Sequence, residues 1–210
     1  MGKVLTEIDA ELASWLEAQP LWFVATSPLD PTGHLNVSPK GGSGLFRVLG
    51  SHRVAYLDLF GSGIETVAHL RENGRIVVMF AAFDGAPDVV RLHGRGRVVQ
   101  QHEQEHAALL DEFDLTDEQR LSARSIIDVE VSRVSRSCGF VVPEMDYVGE
   151  RQQLYRYATS RAATDGPDAI LTYCDVNNAT SINGLDGLDP FGSSPNATDR
   201  DRHDHAGKVL

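Results

Sequence analysis

Apolar positions recur at helical spacing near the start of the chain. Ile8, Leu12, Trp15 and Leu16 fall on one face of a helix predicted over residues 6–18, with Thr6 as its cap. From Leu21 the texture changes to short β-rich runs separated by turn residues. LWFVATS (21–27) reads as a strand, and the Pro, Asp and Gly of the following PLDPTGH suit a hairpin loop. HLNVS (34–38) returns antiparallel and ends in a loop at Pro39–Lys40–Gly41–Gly42. RVAYLDL (53–59) is a third strand, and RIVVMFAAF (75–83) is a fourth, apolar on both faces. DVVRLHGRGRVV (88–99) is a long fifth, where Gly94 and Gly96 predict a bend or bulge. SIIDVEVSRV (125–134) alternates cleanly and is a sixth.

Helices interrupt these strands. One is predicted over Ile64–Asn73, and one or two polar ones between Glu103 and Arg124, where Thr116 to Gln119 has the capping-box pattern. Two more are expected over Glu150–Ser160 and Pro167–Cys174. Strands this short with scattered helices predict a mainly β, α+β fold: an antiparallel barrel with helical decoration. Beyond Asp186 the chain becomes rich in Pro, Gly, Ser, Asp and His. Residues 1–185 therefore read as one domain and 186–210 as a disordered tail. The Asn-Xaa-Thr triplets at Asn178 and Asn196 are read as chance, since the N-terminus has no secretory pattern.

Composition narrows the function without naming it. Thirty acids against 19 bases give a net charge of −11, which disfavours binding to nucleic-acid backbones. No apolar window approaches the length that would cross a membrane. Two cysteines, Cys138 and Cys174, lack both a disulfide framework and metal-site spacing, so a reduced, cytoplasmic, metal-free protein is expected.

The candidate chemistry lies in two loops. One runs from Asn36 through Ser38 and Lys40 to Gly44. The other, Asp58 through Gly61–Ser62–Gly63 to Thr66, ends a strand and opens a helix. Glycines let backbone amides approach an anion, and a helix N-terminus adds unpaired donors with partial positive charge. Ser62 and Thr66 add hydroxyls, and Lys40 a countercharge. Together they predict a phosphate cradle. There is no Walker pattern, GxGxxG, GxSxG or HExxH, and His34, His52, His69 and His93 stand isolated. Arg91, Arg95 and Arg97 alternate along the fifth strand on a shared face, either solvated or with Arg91 facing a ligand.

The order of these segments resembles the pyridoxamine 5′-phosphate oxidase-like family of flavin-binding split β-barrels. The resemblance runs over residues 20–186. It is carried by Phe23–Thr26, Gly33–Gly41, Arg53–Leu59, Gly61–Gly63 with Glu65–Asn73, Val90–Gly96, Ser137–Gly139 with Val142–Pro143 and Met145–Gly149, and Asn177–Leu185. It implies a homodimer binding flavin mononucleotide in clefts between subunits, and an oxidoreductase acting on an unidentified small molecule. The alternatives are a flavin carrier without turnover and a deazaflavin-dependent reductase. Carried onto this chain, Lys40, Ser62 and Thr66, with the amides around Gly63, become the phosphate side. Ser38, Asp58 and Arg91 become ribityl or ring contacts, and no catalytic residue is assigned. The chain departs from its relatives at Phe60 and Ile64, where they favour a small polar residue and an asparagine, and at Thr180, where they carry an arginine. It also lacks the C-terminal Trp- and Arg-rich segment of the B6 oxidases proper, which argues against vitamin B6 as substrate.

Overall fold

The computed structural model describes residues 2–192. The strands are β1 (Lys3–Leu5), β2 (Leu21–Thr26), β3 (Asn36–Gly41), β4 (Phe46–Gly50), β5 (Arg53–Leu59), β6 (Arg75–Ala81), β7 (Val89–Val99) and β8 (Ala123–Ser137). The helices are α1 (Ala10–Glu17), α2 (Glu65–Asn73), α3 (His106–Leu110), α4 (Asp117–Ser122), α5 (Gln153–Asp165) and α6 (Ala169–Asn177). All strand pairings are antiparallel, in the order β3-β2-β6-β7-β8-β5-β4, with β1 also on β8. This is the antiparallel split barrel of an α+β fold, curled but not closed by hydrogen bonds between β3 and β4.

The sheet curls around an aromatic centre. Trp22, Phe46, Tyr56 and Phe80 are buried, with Phe46 edge-on to Phe80 at 4.9 Å and Trp22 stacked on Phe80 at 6.2 Å. Alternation fixes what else points inward. Lys40 pairs with Trp22, Trp22 with Phe80 and Phe80 with Val90, so these four share the interior face. Arg91 takes the opposite face. The bulge expected near Gly94 is present, with a register shift between His93 and Gly94 against β8. A Cβ on Gly94 would sit 2.0 Å from the Glu130 carbonyl oxygen, so only glycine allows this strand contact.

Four sequence readings are corrected. Asp9, not Thr6, caps the first helix, its side chain accepting from the Leu12 amide. Two short strands, β1 and β4, were too brief to announce themselves. The segment expected to loop at Pro39 continues as strand to Gly41, and because β3 is an edge strand the missing proline N–H costs no ladder bond. Finally, residues 186–192 are not a loose tail. Leu188 packs on the barrel core, its amide donates to the Asn178 carbonyl, and Arg71 binds the Gly187 carbonyl and the Asp189 carboxylate. The rest of the predicted tail, 193–210, including Asn196, lies outside the described residues. Among those described, no helix is long and apolar enough to cross a membrane.

Candidate functional site

Because Lys40 is in a strand rather than a loop, alternation aims it into the barrel. Its ammonium meets Asp58 Oδ1 at 2.7 Å, joining edge strand β3 to β5 across the open side of the sheet. Asp58 is fully buried and also accepts from Arg124 Nε at 2.7 Å and Ser125 Oγ at 3.4 Å. Arg124 stands where a bulge shifts the β5–β8 register: Asp58 faces Ser125, Leu59 faces Ala123, and Arg124 is the extra residue. A bulge of this kind re-aims one side chain. Arg124 turns inward, and its Nη1 donates to Asn178 Oδ1 at 2.9 Å and the Gly61 carbonyl at 3.3 Å. Asn178 Nδ2 reaches the same carbonyl at 2.9 Å. Burial alone would raise the Asp58 carboxyl, but Arg124 and then Lys40 overcome it and hold it at about 2. Two cations against one carboxylate leave a net positive centre beneath the Gly61–Gly63 turn.

A second polar chain lies beside it. Asn36 Nδ2 donates to Thr66 Oγ1 at 3.0 Å and to Thr26 Oγ1 at 3.2 Å, and Ser38 Oγ donates to Asn36 Oδ1 at 3.0 Å. Thr26 Oγ1 lies 3.0 Å from His69 Nδ1, and His69 Nε2 lies 3.0 Å from Asn183 Nδ2. His69 is thus a satisfied core histidine, with burial lowering its pKa. Asn183 also receives the His34 amide, tying the closing segment down over α2.

The predicted residues therefore divide. Lys40 and Asp58 touch directly, and Ser38 and Thr66 meet through Asn36. Ser62 and Gly63 are exposed on the turn that opens α2. At the helix start Ile64 is the N-cap and offers no side-chain hydrogen bond, so the first-turn amides have no capping partner there. Glu65, in that first turn, is engaged by the Ile182 amide at 3.0 Å. Arg91 stands apart on the outer face, donating to Ser137 Oγ at 3.2 Å. Two of the three departures are structural. Phe60 turns away from the turn to stack on Tyr157 and meet Tyr173 edge-on, and Ile64 is buried in the barrel core.

Sequence reasoning missed Arg124, Asn178 and Asn183 as site residues, and Asn36 stood only as the first residue of a candidate loop. Arg124 ends a polar stretch and gives no sign of the bulge that buries it. Asn178 drew attention only as a glycosylation triplet, yet it is fully buried, which agrees with reading that match as chance. Of the thiols, Cys138 is exposed, and burial pushes Cys174, beside Arg124, up to about 11, far from a thiolate nucleophile. Among the described residues no cluster could hold a metal.

Comparison with known proteins places these residues in context. The sequence profile described as pyridoxamine 5′-phosphate oxidase matches residues 8–138. The pyridoxamine 5′-phosphate oxidase family protein ustO of Aspergillus flavus is 41% identical over 140 residues, 66% of this chain and 55% of that protein. The match thus spans about half of that relative's length. Among solved structures, HupZ of Group A Streptococcus is similar with 19% identity over 60% of this chain and 91% of its own, at a TM-score of 0.46. An FAD-binding protein from Mesorhizobium loti is similar with 14% identity over 65% and 95%, at 0.46.

Proposed function

This chain belongs to the pyridoxamine 5′-phosphate oxidase family, and on that premise we propose that it is a flavin-dependent oxidoreductase holding flavin mononucleotide by its phosphate at the Gly61–Gly63 turn. One observation carries the reading. Gly61 and Gly63 have no positive φ, and a Cβ at either would meet nothing within 4 Å, so the fold itself does not require glycine there. Bare backbone at that point suits a group approaching from outside the chain, and it leads into a helix start without a side-chain cap. The Ser62 hydroxyl and the amides from Ser62 to Thr66 are the donors for the phosphate. The positive centre formed by Lys40, Arg124 and Asp58 attracts the anion from beneath while its own charges stay paired.

When bound, flavin accepts and returns electrons or hydride, and the protein supplies position and electrostatics. Arg91 on the outer face offers a permanent cation to the ring edge. The same face carries Val37, Pro39, Phe23 and Met79, a half-exposed apolar surface that supports assembly as a homodimer with the flavin at the subunit boundary. Two free thiols support a reducing, cytoplasmic setting, and the second substrate is a small molecule.

Titration with flavin mononucleotide, read by quenching of flavin fluorescence, tests this. One flavin per chain is expected to bind, and Gly63→Val to weaken binding about tenfold or more, or ~1.4 kcal/mol, without changing thermal stability. No quenching by the native protein, or unaltered binding by the variant, overturns the cradle. Preferential retention of a deazaflavin would overturn the cofactor assignment while leaving the cradle in place.

A further inference from the structure

A cavity of about 510 Å³ opens where the start of β2, the ends of β3 and β5 and the segment after β6 meet, within the range that accommodates a small organic ligand. Its floor belongs to the barrel: Leu21, Leu59 and the bare backbone of Gly41 and Gly42. Gly42 sits at φ +118°, and a Cβ there would strike Leu45 at 2.6 Å and crowd the Tyr155 hydroxyl at 3.4 Å, so this wall stays free of side chains. Phe83 forms one side, and Leu154 and the largely buried Tyr155 of α5 form another.

The roof is the segment 139–150, which has neither helix nor strand yet is fastened at two points. The Met145 amide donates to the Phe83 carbonyl at 2.8 Å, and Glu150 Oε1 accepts from the Ser43 amide at 2.6 Å. Between these anchors Met145 and Tyr147 line the cavity while remaining 54% and 61% exposed. Large apolar side chains fixed in position over a hollow, and still half in water, gain from a ligand that takes them out of it. The floor lies within residues 8–138, which the family profile matches, and the roof and the α5 wall follow them.

We propose that this cavity is a binding site for a planar aromatic molecule that is uncharged or cationic. Aromatic and aliphatic side chains dominate the walls, which favours a flat apolar ligand. The charged groups lining it are Asp146, Glu150 and Arg151, two acids to one base on a protein of net charge −11, which disfavours an anion. The site goes beyond the flavin reading and does not depend on it.

Two fluorescent probes of one ring system test the inference: neutral N-phenylnaphthylamine and its anionic relative anilinonaphthalene sulfonate. The native protein is expected to bind one N-phenylnaphthylamine per chain saturably, and the sulfonate about tenfold or more weakly. Leu21→Trp, which fills the floor, abolishes probe binding; Leu154→Trp fills the cavity from the opposite wall and does the same if the first variant is unstable. Both retain flavin mononucleotide with native affinity. Absence of saturable probe binding, equal affinity for the sulfonate, or undiminished binding by the filled variants overturns the proposal. Loss of flavin together with the probe in both variants overturns it too, by making the cavity part of the cofactor site. Failure of flavin to bind the native protein, with probe binding intact, defeats only the functional reading.

Discussion

The barrel and the C-terminal wrap of residues 139–192 enclose the same region by different means. In the barrel, backbone ladders fix every strand, and a side chain's face follows from alternation, so Lys40 reaches Asp58 by strand geometry alone. The wrap has two helices, a small cluster of Ala158, Ile170 and Cys174 closing on Phe60, and polar ties to the barrel through Asn178, Asn183 and Asp189. The barrel thus supplies charge in a rigid setting. The wrap supplies covering surface on a less redundant set of bonds. Rigid parts set the chemistry, and more loosely tied parts set what is admitted.

The largest test strikes the barrel. Asp58→Asn keeps the shape but leaves the buried Arg124 and the partly buried Lys40 without a carboxylate, and should cost about 3–5 kcal/mol in urea unfolding. A loss below about 1 kcal/mol would remove the triad from the barrel's framework. The same carboxyl predicts an acid limb. Its folded pKa of about 2 lies below the ordinary 3.8, so its contribution is fully present above about pH 4 and disappears as pH falls towards 2. Thermal melts across that window should show a shallower acid loss for Asp58→Asn than for the native protein.

A smaller effect separates the two regions. Asn178→Ala removes the partner that joins Arg124 and the Gly61 carbonyl to the wrap, at about 1–3 kcal/mol. Native-state hydrogen exchange should quicken over residues 153–189 while amides of β7 and β8 keep their protection; uniform loss of protection would show one cooperative unit instead. The smallest effect is expected at Glu105→Ala. Arg97 and Glu105 lie 3.1 Å apart but are both about half exposed, and Arg97 keeps Asp128 at 3.0 Å, so the change should stay under about 1 kcal/mol.

The longer strands of the barrel were legible because period-2 alternation and turn residues are local, and the Gly94 bulge because glycine marks it. The capping box of α4 was equally local: Thr116 accepts from the Gln119 amide as the spacing predicts. The glycine-rich turn and its neighbouring lysine were visible as chemistry. Their relation was not, since whether Lys40 belongs to a loop or a strand decides which way it points. Arg91 and Lys40 were both candidates for contact with one ligand, and strand parity puts them on opposite faces.

The amino-acid sequence by itself determined the barrel, its family and the segments bearing polar chemistry, because hydrophobic period, turn residues and motif order are written along the chain. Tertiary structure alone decided that Asp58 is held between Lys40 and Arg124, that Phe60 turns into the wrap, and that residues 186–192 are packed rather than loose. Each depends on a bulge, an edge strand or a distant segment returning to the site. Contacts of that kind are fixed by packing between parts of the chain far apart in sequence, and no local pattern encodes them.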